Sequence, residues 1–302
     1  MIDKITVVIV TYNGEQWINK CLSSIYSASI IPQVLVIDNN STDETIQIIK
    51  SEFPDVMVVL NNQNMGFGVA NNIGLKNAFN RGSDFYFLLN QDAWVEYDTF
   101  EKLINFQKKN THIGILSPVH LNGDGNQLDR NFSQCIGGYS YDEILERERD
   151  HMDVRFVNAA AVLLTRELIR SIGGFDPIFK HYGEDRDYCN RALHHGFRVT
   201  VYTKSMIYHD RKYSVSNPFR SNKKLLLASG LAYVKNPNTP LSRNYIFWIF
   251  KRIPKFFKNL LLLHLHLVKI EIDVLIVLLR DYKQIKNSRT KCMSKEILFL
   301  NE

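Results

Sequence analysis

The chain lacks most of the features that would place it outside the ordinary globular classes. Its 302 residues include four cysteines, eight prolines and three tryptophans. Cys21, Cys135, Cys189 and Cys292 lie far apart and form no CxxC pair. That spacing argues against a zinc ribbon or a disulfide-stapled scaffold and favours free thiols in a reducing, cytoplasmic compartment. The apolar opening Ile5 to Val10 turns polar at Thr11, so it is expected to be a first strand and not a secretory signal. With 45% hydrophobic and 23% charged residues, the chain can bury a sizeable core, which excludes disorder.

Acid is scarce in one part only. Residues 211–302 hold 18 Lys+Arg against 5 Asp+Glu, whereas residues 1–210 hold 19 against 26. An acidic body (1–210) therefore carries a basic extension (211–302), a division that points to an anionic partner surface, either membrane or nucleic acid. The Asn- and Pro-containing stretch Arg211 to Pro240 is the plausible boundary.

What is present is an alternation of short apolar runs with helical segments, the pattern of an α/β fold with a mostly parallel sheet flanked by helices. Strands are expected at Ile5–Val10, Gln33–Ile37, Val56–Leu60 and Phe85–Leu89, with helices at Glu15–Ser27, Asp43–Ser51 and Val69–Asn80. Ser41 and Glu44 have capping-box spacing. Further on, a helix to Lys109, a strand at Ile113–Leu116, a strand-like Val154–Leu164 and a helix Asp185–His195 closed by Gly196 complete the body. In the extension, Phe256, Leu260, Leu263, Leu267, Ile270, Val274 and Val277 recur at spacings of three and four, which predicts one amphipathic helix. Lys269, Glu271 and Asp273 interrupt it well short of the about 20 apolar residues of a bilayer span. It can lie in a membrane interface, or pack on the body or a second subunit.

Ligands of open parallel sheets bind beyond the carboxyl ends of the strands. Those ends are polar here: Thr11-Tyr12-Asn13-Gly14, Asp38-Asn39-Asn40-Ser41 and Asn90-Gln91-Asp92. Asp38 is placed to accept hydrogen bonds from a ribose or base, although alone it would read as a turn former. The segment Asn64 to Asn72 has glycines that admit a ligand to the backbone, but Asn71 replaces the third glycine of a dinucleotide fingerprint, which argues against a dehydrogenase. Asp92 is placed to hold a divalent cation against a diphosphate, with His209 as the second, weaker candidate ligand. In the run Glu184-Asp185-Arg186-Asp187, helical spacing pairs Asp187 with Arg191 and leaves Asp185 as the free carboxylate and candidate general base.

In their order these segments resemble the inverting glycosyltransferases of family 2, which have the GT-A fold, from about Ile5 to His209. The resemblance implies a nucleotide site at Val8–Asn13 and Asp38, and a donor site that includes Thr11, Tyr12, Asn13, Asn40, Asn64, Gly66 and Asn71. Asn90-Gln91-Asp92 stands at the D-x-D position, with Asn90 and Gln91 on the donor side and Asp92 and His209 holding Mg²⁺ or Mn²⁺. Gly173 to Asp176 with Glu184 and Asp185 match the acceptor-side motif, whose Asp is the base. Asn90 in place of the first Asp marks the rhamnosyltransferase-like subset. A nucleoside-diphosphate sugar such as dTDP-rhamnose as donor, and a saccharide or lipid-linked saccharide of bacterial surface polysaccharide as acceptor, are what the resemblance implies. The basic amphipathic extension fits peripheral contact with the inner face of the membrane.

Three other readings compete. A silent nucleotide-sugar-binding protein has no need to keep Asp92, Asp185 and His209 together. A sugar nucleotidyltransferase would carry a basic loop after the first strand, where Thr11 to Glu15 has no basic residue. Nucleic-acid binding by the extension is disfavoured because its aromatics are mixed into an apolar helix face. A homo-oligomer built through the extension stays open.

Overall fold

Apolar runs with alternate residues facing opposite sides need cover on both faces, and the sheet receives it. The computed structural model describes residues 3–180, 182–211 and 222–300. In chain order the body contains β1 (Ile5–Thr11), α1 (Glu15–Tyr26), β2 (Gln33–Asp38), α2 (Thr45–Glu52), β3 (Met57–Leu60), α3 (Phe67–Asn80), β4 (Phe85–Asn90), β5 (Ala93–Val95), α4 (Thr99–Lys109) and β6 (Ile113–Asn122). It continues with α5 (Arg130–Cys135), α6 (Tyr141–Leu145), β7 (His151–Asp153), β8 (Ala161–Thr165), α7 (Arg166–Ile172), α8 (Glu184–His194) and β9 (Arg198–His209). The extension follows as α9 (Lys223–Lys235), α10 (Leu241–Leu261), α11 (Leu265–Arg280) and α12 (Tyr282–Lys291).

The strands form one sheet in the order β3-β2-β1-β4-β8-β6-β9-β5, with β7 also paired to β9. β1, β2, β3 and β4 run parallel, as do β6 and β9, while β8 lies antiparallel between β4 and β6. The short β5 turns back from the end of β4 and pairs antiparallel with β9, with Ala93 opposite His209. One face packs Val8, Leu35, Leu88 and Leu164 under α3, α7 and α8, and the other packs Val7, Ile9, Phe87 and Leu163 under α1 and α4. The period-2 division of each strand between the two cores accounts for its continuous apolar run. At about 25 cal/mol per Å² such burial is the main favourable term in folding.

Several expectations are corrected. The run Val154–Leu164 is not one strand: β7 ends at Asp153 and β8 begins at Ala161. Ser41 does not open a capping box. Its hydroxyl donates to Asp38 Oδ1 at 2.5 Å, and α2 begins at Thr45 behind Glu44, which makes no side-chain cap. The amphipathic stretch 256–277 is two helices broken after Leu261, with Leu263 at φ 55. Its buried stripe is Val268, Glu271, Val274 and Leu278, so the apolar period ran through a turn that carries no Gly or Pro to announce it.

The extension closes against the body. α9, α10 and α11 share a core of Leu226, Val234, Trp248, Val274 and Leu278. Beyond α12 the chain returns to the body, where Gly174 N–H donates to the Leu298 carbonyl at 2.8 Å and Leu300 enters the main core. A Cβ on Gly173 would meet that carbonyl at 1.9 Å, and the residue sits at φ 68, so only glycine fits.

Candidate active site

The carboxyl ends of β1, β2 and β4 are joined by side chains before any ligand arrives. Asp38 is buried and accepts from Thr11 Oγ1 at 2.9 Å and from Ser41 N–H at 2.9 Å. Asn13 N–H donates to Ser41 Oγ at 2.9 Å, and Asn13 Oδ1 accepts from Thr42 N–H at 2.9 Å. Gln91 accepts from Tyr12 N–H at 2.9 Å and donates back to its carbonyl at 3.1 Å, clamping the β1 and β4 ends together. Asn13 and Asn40 both lie in the left-handed region, at φ 49 and 69, a conformation asparagine tolerates in such turns.

A cavity of about 350 Å³ opens above these ends, bounded by Tyr12, Asn64, Gly66, Asn90, Gln91 and Asp92. Gly66 occupies φ 82 as the cap of α3, and its N–H donates to Asn64 Oδ1 at 2.9 Å. Asn71 is not on this cavity. It is buried, and its amide donates to the Phe67 carbonyl of its own helix at 2.9 Å. Thr11, Asp38, Asn13 and Asn40 support the cavity from behind and beside it instead of lining it.

A second cavity, about 540 Å³, adjoins the first and shares Phe67, Asn90, Tyr182 and Glu184 with it. Its walls include Asp185, Asn158 and Arg186, and on the far side Leu225, Ala228 and Ala232 of α9. Glu184 and Asp185 begin α8 directly after Tyr182 and Gly183, which lie at φ 64 and 91. The backbone therefore turns sharply to present Glu184 where the cavities meet and Asp185 on the wall of the larger one. Burial pushes the Glu184 carboxyl up to about 7, and the neighbouring Asp185 charge adds to this. Glu184 Oε2 has no hydrogen-bond partner. Burial also raises Asp185, against the opposing pull of the Arg186 N–H at 2.7 Å, the Arg186 charge and the Ala159 N–H.

Asp92 and His209 are brought together by the antiparallel pairing of β5 with β9, which places Asp92 Oδ1 3.3 Å from His209 Nε2. His209 is buried, neither ring nitrogen has a hydrogen-bond partner among the described residues, and Nδ1 faces the buried Asp129 carboxylate at 3.6 Å. A carboxylate on the wall of the smaller cavity and a buried imidazole beside it, with a second carboxylate behind the imidazole, fit a Mg²⁺ or Mn²⁺ ion completed by oxygens of a ligand. Among the described residues no group of three or more His, Cys, Asp and Glu side chains could hold a metal alone.

With this geometry in place, comparison with known proteins assigns the family. A family model described as glycosyl transferase family 2 matches residues 6–173, more than half of the chain. The chain belongs to that family. Over 243 residues it is 24% identical to the N-acetylglucosaminyl-diphospho-decaprenol L-rhamnosyltransferase of Mycobacterium tuberculosis, covering 71% of this chain and 78% of the relative. It is 30% identical to glycosyltransferase GlyA of Streptococcus pneumoniae over 112 residues, which are 35% of this chain and 16% of GlyA. It is 23% identical to the hexosyltransferase Agl10 of Haloferax volcanii, covering 66% of this chain and 64% of Agl10. The chain thus spans less than two thirds of the length of GlyA and of Agl10. Among solved structures, S. aureus TarS in complex with UDP-GlcNAc superposes with a TM-score of 0.59 at 17% identity, covering 80% of this chain and 69% of TarS. GalNAc-T7 with UDP, GalNAc and Mn²⁺ gives 0.56 at 15%, covering 80% and 53%. These likenesses show the GT-A fold.

Within this family-2 framework the structure adds residues that sequence reading missed. Asn72 Nδ2 donates to the Phe175 carbonyl at 2.8 Å, and its Oδ1 accepts from Phe175 N–H at 2.7 Å, so the helix behind the smaller cavity is bolted to the loop before α8. Asp129 stands behind His209. His120, pushed down to about 3 by burial and by the His209 charge, stacks on Phe132 near it. Asn158 is buried in the wall of the larger cavity, with neither amide atom hydrogen-bonded. Only Asn72 carried a signal, as the second half of the Asn71-Asn72 pair. Asp129 and Asn158 are single residues in segments that read as loop or strand.

Proposed function

We propose that this chain transfers a sugar from a nucleoside-diphosphate donor to an acceptor hydroxyl with inversion at the anomeric carbon. The observation that carries the reading is the junction of two cavities at Glu184, with Asp185 next to it on the wall of the larger one; the smaller is bounded by the strand ends and Asp92, and the larger is roomy enough for a saccharide. The smaller cavity takes the donor, with Asp38 and Thr11 fixing the nucleotide-side loop and Asn64, Gly66, Asn90 and Gln91 framing the sugar diphosphate. The mycobacterial relative is named as an L-rhamnosyltransferase and the TarS complex contains UDP-GlcNAc, so dTDP-rhamnose and UDP-GlcNAc are the first donors to try.

In this mechanism Asp185 accepts the proton of the acceptor hydroxyl as its oxygen bonds to the anomeric carbon. The bond from that carbon to the diphosphate oxygen breaks on the opposite face, and the product is inverted in a single displacement. Burial raises the Asp185 carboxyl, and a carboxylate with a raised pKa is a better base than a free one. Glu184, raised to about 7 by burial and by the Asp185 charge, keeps a protonated fraction near neutral pH that can donate a hydrogen bond where the sugar crosses from one cavity to the other. Asp92 and His209 would hold a divalent cation, which when bound supplies charge neutralisation to the departing diphosphate.

The acceptor in this reading is a saccharide on a lipid carrier, as used in bacterial surface polysaccharide synthesis, met at the inner face of the cytoplasmic membrane. The compound name of the mycobacterial relative, a diphospho-decaprenol substrate, supports that class. The test is release of nucleoside diphosphate from a panel of nucleotide sugars in Mg²⁺, Mn²⁺ or chelator. Metal-dependent release from one donor supports the reading. Pyrophosphate release from a nucleoside triphosphate would establish a nucleotidyltransferase instead.

A further inference from the structure

The hairpin of α10 and α11 has two faces with opposite fates. Its inner face packs on α9 through Trp248, Val274 and Leu278, and Gly230 of α9 leaves just enough room for Trp248 and Leu278. Among the described residues nothing covers its outer face. On α10 the exposed apolar residues Ile246, Phe250, Ile253, Phe257 and Leu261 recur at spacings of three and four. On α11 Leu265, Ile272, Ile276 and Leu279 continue the stripe. The turn between the helices is apolar and the most exposed part of all, with Leu261 83% and Leu263 79% accessible. A run of this size, continuous across two helices and their turn, is far more than scattered surface leucines.

Charge says what covers it. Residues 241–280 carry seven Lys+Arg and two Asp+Glu. Both acids are engaged within the extension: Glu271 pairs with Arg252, and Asp273 Oδ2 lies 2.8 Å from Lys223 Nζ. Lys251, Lys258 and Lys269 are exposed beside the apolar stripe, and His264 and His266 flank the turn. A second copy of this chain would have to bring the same cations face to face, whereas an anionic lipid surface neutralises them. Among the described residues no helix is long and apolar enough to cross a membrane, so the hairpin lies along the interface with its turn dipped in.

We propose that the α10–α11 hairpin is an in-plane anchor that docks on an anionic phospholipid surface, with the Leu260 to Leu265 turn entering the acyl boundary and the lysines meeting the headgroups. One helix, α9, then separates the lipid-facing hairpin from the larger cavity: Leu225, Ala228 and Ala232 line that cavity, while Leu226 and Val234 face the hairpin core. The anchor would thus hold the acceptor cavity one helix layer from the bilayer that carries a lipid-linked acceptor. That purpose rests on the transferase reading, but the docking does not.

The test is co-sedimentation of the full chain with vesicles of phosphatidylcholine alone or mixed with phosphatidylglycerol, with no donor or acceptor present. The expected result is salt-sensitive pelleting with the mixed vesicles and little with the neutral ones. The double variant L261E/L265E should lower the apparent lipid affinity roughly tenfold or more, and K251E/K258E should abolish the preference for anionic lipid. All four side chains are exposed, and unchanged nucleotide-sugar hydrolysis by each variant reports an intact fold. Failure of the wild-type chain to pellet, equal pelleting on both vesicle types, or a dimer in solution that L261E/L265E converts to monomer would each overturn the proposal. Vesicle binding without turnover on any donor would instead count against the transferase reading alone.

Discussion

Lys235 Nζ, buried at the end of α9, lies 2.8 Å from Asp187 Oδ1, one turn into the helix that begins with Glu184 and Asp185. The same ammonium reaches Asp176 Oδ2 at 2.9 Å, and Asp187 also takes Arg191 Nε at 3.0 Å. Arg191 in turn donates to the carbonyls of Ile172 and Gly174 at 2.7 and 2.5 Å. Burial opposes ionisation of Asp176, but the Lys235 charge, Ser288 and the Ile178 N–H outweigh it and hold the carboxyl below its ordinary range. The extension is therefore tied electrostatically to the start of α8.

Lys235→Met should cost on the order of 3–5 kcal/mol of stability, because it leaves two carboxylates buried against a single arginine. Urea denaturation measures it. Replacing Lys235 and Asp176 together, as Met and Asn, should recover part of the loss, since the uncompensated charge goes with its partner.

Asn72→Ala should cost about 1–3 kcal/mol for each of the two Phe175 backbone groups left unpaired. Because Phe175 leads into the loop before α8, nucleotide-sugar turnover should fall more than nucleotide binding does. Comparing kcat with the Kd for the nucleoside diphosphate separates the two.

Glu184 gives stability a definite slope with pH. Its folded carboxyl at about 7 lies above the ordinary value of 4.5. Between those values the folded state binds more protons than the unfolded one, so this contribution is fully present below about pH 4.5 and is lost as pH rises to about 7. Glu184→Gln should remove that part of the slope, which denaturation midpoints across pH 4.5 to 8 will show.

Chelation should suppress nucleoside-diphosphate release, and Asp92→Ala or His209→Ala should each raise the Mn²⁺ concentration needed for half-maximal rate. Asp129→Asn, acting behind His209, should raise it by about 10–100-fold, the usual reach of an outer partner. A metal titration of the initial rate for each variant checks the order.

The parallel strands and the residues at their ends were readable because burial on both faces leaves an unbroken apolar run followed by polar residues. The pairing of Asp187 with Arg191 was readable from helical spacing alone. The two helices at 241–280 were not, since the three- and four-residue period ran through Leu262 and Leu263 without a breaker. Nor could the sequence show that Gln91 and Asn71 turn to backbone groups, that Asn158 reaches a cavity wall, or that Asp129 stands behind His209. Those depend on which loops the sheet order brings together, above all the placement of β8 antiparallel between β4 and β6 and of β5 against β9.

The most direct test of Asp185 as the base at a sugar-transfer site is to compare wild type with Asp185→Asn for nucleoside-diphosphate release from the best donor and for binding of that diphosphate. The expected outcome is a fall in turnover of roughly 100- to 10,000-fold with binding unchanged. Turnover within a factor of about three of wild type, far short of the loss expected on removing a general base, would contradict it.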